Sequence, residues 1–201
     1  MIKKLMGVSP DTMANFENDI EQCLAVLKKG GLILYPTDTV WGIGCDATKA
    51  AAVKKVYALK QRPDEKAMIV MVADERDVLQ YTASPDLAVF DYLAKTTKPT
   101  TIVFEGAIGL ADNLVAKDGS IAIRICNEPF CKQLIKRFQK PIVSTSANIS
   151  GEAFAKTFAE ISEEIKQGVD YVVQYRQGDA HLAQPSCVIK WNNGQVEVLR
   201  P

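Results

Sequence analysis

Histidine is nearly missing from this 201-residue chain: His181 is the only one, and it sits among Gly, Asp, Ala and Gln. An imidazole-based nucleophilic triad therefore has one candidate base, in a context that reads as surface. Cysteine is scarce and unpaired in pattern. Cys23, Cys45, Cys126, Cys131 and Cys187 make an odd count without a CxxC spacing. A zinc site has few ligands to draw on, so free thiols in a reducing compartment are the expectation. No tightly bound, protein-ligated metal is expected. The GxxxxGK[ST] phosphate loop is absent, which excludes an ordinary P-loop nucleotide site. No apolar run is long enough to span a bilayer, and Met1–Gly7 is too short for a signal peptide before Ser9-Pro10-Asp11. A cytoplasmic protein without membrane contact is the expectation. Neither charge predominates, since 24 basic residues balance 24 acidic ones. A global basic field that would steer the chain onto nucleic acid is missing, and any RNA contact needs a local patch.

What is present is a 47% hydrophobic composition, enough for one substantial core. Phe16, Ile20, Cys23, Leu24 and Leu27 recur at helical spacing up to Gly30-Gly31. Leu32–Tyr35 reads as a buried strand stopped by Pro36, and Ala50–Leu59 as a second helix. Ala67–Val72, Thr100–Phe104, Ile121–Ile125, Ile142–Val143 and Tyr171–Gln174 read as strands. Helices are expected around Leu87–Leu93 and over Phe130–Phe138, the latter opened by Asn127 and Pro129. Thr157 and Glu160 form a capping-box pattern for a helix reaching about Gln167. Ile108–Gly119 reads as a loop. Cys187–Trp191 and Val196–Leu199 form a hairpin through Asn192-Asn193-Gly194. Strands and helices alternate, yet the final hairpin is antiparallel. The expected fold is α/β (α+β): one domain over residues 1–201, with a twisted mixed parallel and antiparallel sheet flanked by helices.

Four polar clusters follow predicted strands or helices. Pro36–Gly44 carries two hydroxyls, Thr37 and Thr39, on a backbone fixed by proline and glycine; alone it reads as a tight connection. Gly42, Gly44 and Ala47 match a GxGxxA dinucleotide pattern only weakly, because Gly42 lies too far from the strand end. Lys60 and Arg62 project from a helix end closed by Pro63. Cations there complement the helix dipole, but Lys66 adds a third and makes a patch of triphosphate size. Arg124 falls out of phase with the isoleucines of its strand. Such an arginine either faces solvent or is held rigidly as a bidentate clamp for a carboxylate. Ser144–Gly151 is rich in small polar residues directly after a buried strand. It is either a plain loop or a surface for close approach by phosphates or ribose.

The segments YPTDTVWGIGCD (Tyr35–Asp46), KQRP (Lys60–Pro63), SIAIR (Ser120–Arg124), PIVSTSANISG (Pro141–Gly151), PSCVI (Pro185–Ile189) and VLRP (Val198–Pro201) together resemble the YrdC/TsaC family of L-threonylcarbamoyladenylate synthases. The resemblance runs from about Leu32 to Pro201. It implies a YrdC-like fold with a positively charged cavity. It also implies synthesis of L-threonylcarbamoyladenylate from L-threonine, bicarbonate or CO2, and ATP with release of pyrophosphate, for the N6-threonylcarbamoyladenosine modification of tRNA position 37. By resemblance, Thr39, Arg124, Ser144 and Ser186 face threonine. Lys60, Arg62, Lys66, Ser120, Ser146, Asn148 and Arg200 face ATP, with Lys60 and Arg62 catalytic. ATP is a substrate accompanied by Mg2+, and a separate complex transfers the product to tRNA. The family's K-x-R and S-x-N pairs stand here as Lys60/Arg62 and Ser146/Asn148; the related YciO branch lacks both. Departures are Lys66 where many members have asparagine, Met71 where they have histidine, and Phe154 near a common serine. Two other readings compete. One is an RNA-binding protein of this fold without synthase activity. The other is carbamoyl transfer, as in the YrdC-like domain of hydrogenase-maturation proteins, whose additional modules are not found here.

Overall fold

The computed structural model describes residues 16–63, 68–179, 184–192 and 194–201. Helix α1 (Glu17–Lys28) places Ile20, Cys23, Leu24 and Leu27 on one buried stripe and carries Glu17 and Asp19 in its first turn. Acidic residues at that end complement the helix dipole. The helix ends at Gly30, whose φ of +75° suits a residue without Cβ. Strand β1 (Ile33–Tyr35) is buried on both faces. β2 (Gly42–Gly44) turns back antiparallel to it. A Cβ at Gly44 would stand 2.7 Å from the Tyr35 ring and 2.9 Å from Ile142, so close strand packing demands glycine there.

The chain continues through α2 (Ala50–Leu59), β3 (Ile69–Val72), α3 (Glu75–Tyr81), α4 (Ala88–Lys95) and β4 (Thr100–Phe104). It then runs through β5 (Ile121–Ile125), α5 (Pro129–Phe138), β6 (Ile142–Ser146), α6 (Glu163–Gln167), β7 (Tyr171–Val172), β8 (Cys187–Asn192) and β9 (Gln195–Arg200). The nine strands among the described residues form one sheet in the order β7-β1-β2-β6-β3-β5-β4-β8-β9, with parallel and antiparallel neighbours mixed. The closing hairpin pairs Val196 with Trp191 and Val198 with Ile189. The mixed sheet flanked by helices is the architecture expected from the sequence. Helix α1 packs on α5 at one end of the sheet. Phe16 meets the edge of Phe130 there, with ring centroids 5.7 Å apart. Truncating either buried phenylalanine to alanine would cost about 3–5 kcal/mol.

Several expectations about individual elements are corrected. The helix expected from Thr157 does not start there: Thr157 makes no capping bond, and residues 158–160 form a single 3-10 turn. Glu160 accepts instead from the Lys156 amide at 2.8 Å, and Ser162 caps the separate α6. Glu128, rather than Asn127, caps α5, by accepting from the Cys131 amide. Strand β7 stops at Val172, short of Gln174. The buried Asp19 carboxylate takes the Gln174 and Tyr175 amides at 3.0 and 2.9 Å, peeling that backbone away from the ladder. Strand β6 runs on to Ser146, beyond the expected Val143. Two elements carried no strong pattern: β2, only three residues long, and α3, which a reciprocal Asp74/Asp77 capping box opens. His181 and Asn193 lie outside the described residues.

Candidate functional site

Register brings the central polar residues together on one face of the sheet. Ser146 is paired with Gly42, Ser144 with Ile69, and Arg124 with Met71. Side chains two residues apart on a strand share a face, so Ser144 and Ser146, like Ile69 and Met71, point the same way. A cavity of about 200 Å³ opens over this face. Arg62, Arg124 and Arg200 all line it, together with Thr39, Ser144, Thr145, Ser146 and Ser186. Among the described residues, none that lines it is a carboxylate.

Arg124 is 3% exposed, although its strand pattern left a solvent-facing orientation open. It donates to Thr39 Oγ1 at 2.7 Å and to Met71 Sδ at 3.1 Å, and it pairs with Asp38 at 3.3 Å. Its Nε is buried without a hydrogen-bond partner. The guanidinium is thus anchored from three sides while one donor is left unmatched, a costly arrangement unless a ligand answers it. The hydroxyl directions follow from counting protons. Thr37 Oγ1 donates to the Val40 carbonyl at 2.8 Å and accepts from the Thr39 amide. Its 2.9 Å contact with Thr39 Oγ1 must then use the Thr39 proton, leaving Thr39 Oγ1 to accept from Arg124.

The Pro36–Thr39 loop is braced from behind by two residues that sequence patterns did not single out. Arg176 donates to the Thr37 carbonyl at 3.1 Å and lies 3.8 Å from Glu128. Cys131 Sγ meets the Pro36 carbonyl at 3.1 Å. On the opposite wall, Ser186 Oγ shares a 2.8 Å hydrogen bond with Thr101, and Arg200 donates to the Ser186 carbonyl through Nε and a terminal nitrogen. Burial, and after it the nearby Arg124 charge, pulls the Arg200 guanidinium below its usual range. Burial does the same to Arg62.

The end of α2 explains why a lysine and an arginine two apart serve different surroundings. Gln61 adopts φ +49°, its amide bonds to the Ala58 carbonyl, and the Arg62 amide bonds to the Tyr57 carbonyl. This is a Schellman turn with glutamine in the left-handed position usually held by glycine, and Pro63 prevents continuation. The turn directs Arg62 to the cavity, while Lys60, still helical, continues the buried stripe of Val53, Val56 and Tyr57 inward. Lys60 is 1% exposed, and its ammonium donates to the Ser146 and Asn148 carbonyls, each within 2.6 Å. Desolvation, with help from the Arg62 charge, lowers its pKa from 10.5 to about 8.

The residues expected to face threonine (Thr39, Arg124, Ser144 and Ser186) all line the cavity, as do Arg62, Ser146 and Arg200 from the nucleotide set. Lys60, Ser120 and Asn148 are not among its lining residues. Ser120 turns its hydroxyl to Asp118 at 2.7 Å. Asn148 lines a neighbouring cavity of about 230 Å³, and Phe154 belongs to the walls of both. Asn148 Oδ1 is buried without a partner. Lys66 lies outside the described residues. Thr145, Met68, Ile69 and Phe154 complete the wall without having been expected to face substrate. Strand alternation could have hinted only at Ile69, which shares a face with Ser144; Thr145 falls on the opposite phase, and Met68 and Phe154 lie outside β3 and β6. Among the described residues no cluster of three or more His, Cys, Asp or Glu could hold a metal, and no helix is long and apolar enough to cross a membrane.

Comparison with known proteins gives a consistent picture. The model of the Sua5/YciO/YrdC family, described as "Telomere recombination", matches residues 25–201. A threonylcarbamoyl-AMP synthase of Idiomarina loihiensis is 34% identical over 84% of this chain and 91% of its own length. Its namesake in Pseudoalteromonas translucida is 32% identical over 90% and 97%. Among solved structures, P. abyssi Sua5 in complex with L-threonine superposes with a TM-score of 0.82 at 22% identity, covering 92% of this chain. The chain spans about half of that protein, 54% of its length. E. coli YciO superposes with a TM-score of 0.79 at 24% identity, over 92% and 89% of the two chains.

Proposed function

Because the chain belongs to the Sua5/YciO/YrdC family, we propose that it is a threonylcarbamoyl-AMP synthase, an enzyme making an adenylate from threonine and ATP on the route to threonylcarbamoyl-adenosine in tRNA. One observation carries the assignment of the site: three guanidiniums, Arg62, Arg124 and Arg200, converge on one cavity, and no described residue lining it is a carboxylate. The chemistry requires such a wall. The threonine amine captures CO2 with loss of a proton, or bicarbonate with loss of water, as a carbamate, and a carbamate oxygen attacks the α-phosphorus of ATP as pyrophosphate leaves. An anion then attacks a polyanion, and fixed positive charge out of bulk water is what lowers that barrier.

On this reading the residues divide the labour. Arg124, oriented by Asp38, Met71 and Thr39, offers a rigid guanidinium and an unmatched Nε to the threonine carboxylate. Thr39, whose hydroxyl proton is engaged by Thr37, presents only acceptor capacity, which suits the amine or hydroxyl of threonine. Arg62 and Arg200, with Ser146, serve the phosphates. Mg2+ accompanies ATP as part of that substrate. Catalysis rests on positioning and electrostatics, without a covalent enzyme intermediate. A cytoplasmic location and transfer of the product by a separate tRNA-modifying complex complete the reading.

The test is to incubate the protein with ATP, bicarbonate and each amino acid in turn, following pyrophosphate release and product mass. Release that depends on threonine and bicarbonate, with a threonylcarbamoyl-adenylate product, is the expected result. Retention of RNA in a salt-sensitive manner with no ATP turnover would favour a binding protein of the same fold instead.

A further inference from the structure

We infer that Lys60 is a positioning residue: its ammonium holds the Ser146–Asn148 segment in place beside the cavity, and the nucleotide's polyphosphate secures the proton that keeps it there. The inference rests on the proposed use of ATP, and the geometry supplies the rest. The Lys60 ammonium donates to two successive main-chain acceptors, the Ser146 and Asn148 carbonyls, and the Ser150 amide returns a bond to the Lys60 carbonyl at 2.8 Å. Three hydrogen bonds therefore staple the exit of β6 to the end of α2. Ser146 lines the cavity directly, and Asn148 lines its neighbour. A carbonyl accepts from an ammonium more strongly than from a neutral amine, so the staple depends on the proton.

The surroundings make that proton labile. Among the described residues, Lys60 is buried with no carboxylate bonded to it, and the charged group facing it is Arg62, from the same helix end. The segment packed against it brings hydroxyls and an amide but no titratable group. The nearby acids are engaged elsewhere or reach the segment only through backbone: Glu164 accepts from the Gln61 amide group, and the Glu152 carbonyl accepts from Asn148. Arg62 also lines the cavity. A polyphosphate beside Arg62 offsets its repulsion of Lys60, so the ammonium form is favoured with nucleotide present. By linkage, nucleotide binding takes up protons, and affinity falls as pH rises through about 8, the value that burial and Arg62 leave to the free protein.

Calorimetry of ATP binding between pH 7 and 9.5, in pairs of buffers with different ionisation enthalpies, reads this directly. For wild type the expected result is net proton uptake near pH 8.5 and a Kd rising by up to about tenfold per pH unit above pH 8. Lys60→Arg cannot titrate in this range and is expected to bind with a flat profile. Lys60→Met is expected to bind weakly at every pH, resembling wild type at the alkaline end. Hydrogen exchange of the Ser150 amide in unmutated protein provides a readout independent of variant folding. Its protection near pH 8 should rise when ATP is added. Absence of proton uptake by wild type, an unchanged pH profile in Lys60→Arg, or Lys60→Met binding as tightly as wild type at pH 7 would each overturn the inference. Failure of wild type to bind ATP at pH 7 would overturn the functional reading itself, and this inference with it.

Discussion

Arg124 and Lys60 are the two buried cations among the described residues, yet the fold holds them in opposite ways. Arg124 stands on a central strand, faces a carboxylate 3.3 Å away, and keeps Nε without a partner. Lys60 stands past the end of a helix, binds two backbone carbonyls, and faces another cation. The first arrangement fixes a charge so that it can act on a ligand. The second spends a charge on shaping the wall. A buried cation in a family motif therefore does not by itself mean a substrate contact; what its donors meet decides the matter.

The largest expected effect comes from Arg124→Lys. An ammonium cannot reproduce the planar fork, and truncating one side of a buried charge pair costs about 2–5 kcal/mol, so kcat/KM for threonine should fall by about 10²–10³. An unaltered threonine dependence would remove Arg124 from the site and break the comparison. Next is Lys60, read through stability. Its folded pKa, about 8, lies below the ordinary 10.5. The unfolded chain thus binds more protons between those values, and stability rises with pH across that window, while the penalty is fully present below pH 8. Urea unfolding of wild type relative to Lys60→Met should show a difference growing by up to about 3 kcal/mol from pH 8 to 10.5. A difference independent of pH would mean that Lys60 keeps its ordinary pKa in the fold.

Two smaller effects sharpen the same contrast. Asp38→Asn keeps the shape beside Arg124 but removes its counter-charge, and a hydrogen bond to a charged group contributes about 1.5–3 kcal/mol. Threonine KM should rise about tenfold, with ATP KM nearly unchanged; equal rises in both would show that Asp38 supports the whole cavity rather than Arg124. Gln61→Gly relieves the left-handed residue between Lys60 and Arg62. A melting experiment should show a gain of about 1 kcal/mol, and a loss would mean that the Gln61–Glu164 hydrogen bond outweighs the backbone strain.

Much of this was legible in the chain because periodicity and punctuation are local. The apolar spacing in α1, α2 and α5, and the β-rich runs of β4 and β5, point to the elements that form. What stayed hidden depends on partners distant in sequence. The early end of β7 is set by Asp19, more than 150 residues away. Thr157 followed by Glu160 satisfies a capping pattern, but Glu160 bonds the Lys156 amide instead. The site shows the same division. Motifs picked out Thr39, Arg62, Arg124, Ser144, Ser146, Ser186 and Arg200, all of which line one cavity. They could not say that the Lys60 ammonium ends on the Ser146 and Asn148 carbonyls, more than 80 residues away, nor that Arg176 braces the Thr37 loop.

The claim that separate guanidiniums hold separate anions is tested most directly by measuring threonine and ATP binding to Arg124→Lys and Arg62→Ala by calorimetry. Arg124→Lys should weaken threonine by at least about tenfold while changing ATP by less than about twofold, and Arg62→Ala should do the reverse, as expected when each loses one charged partner. If both substitutions weakened the same ligand to the same extent and spared the other, the two-anion account of the cavity would be contradicted.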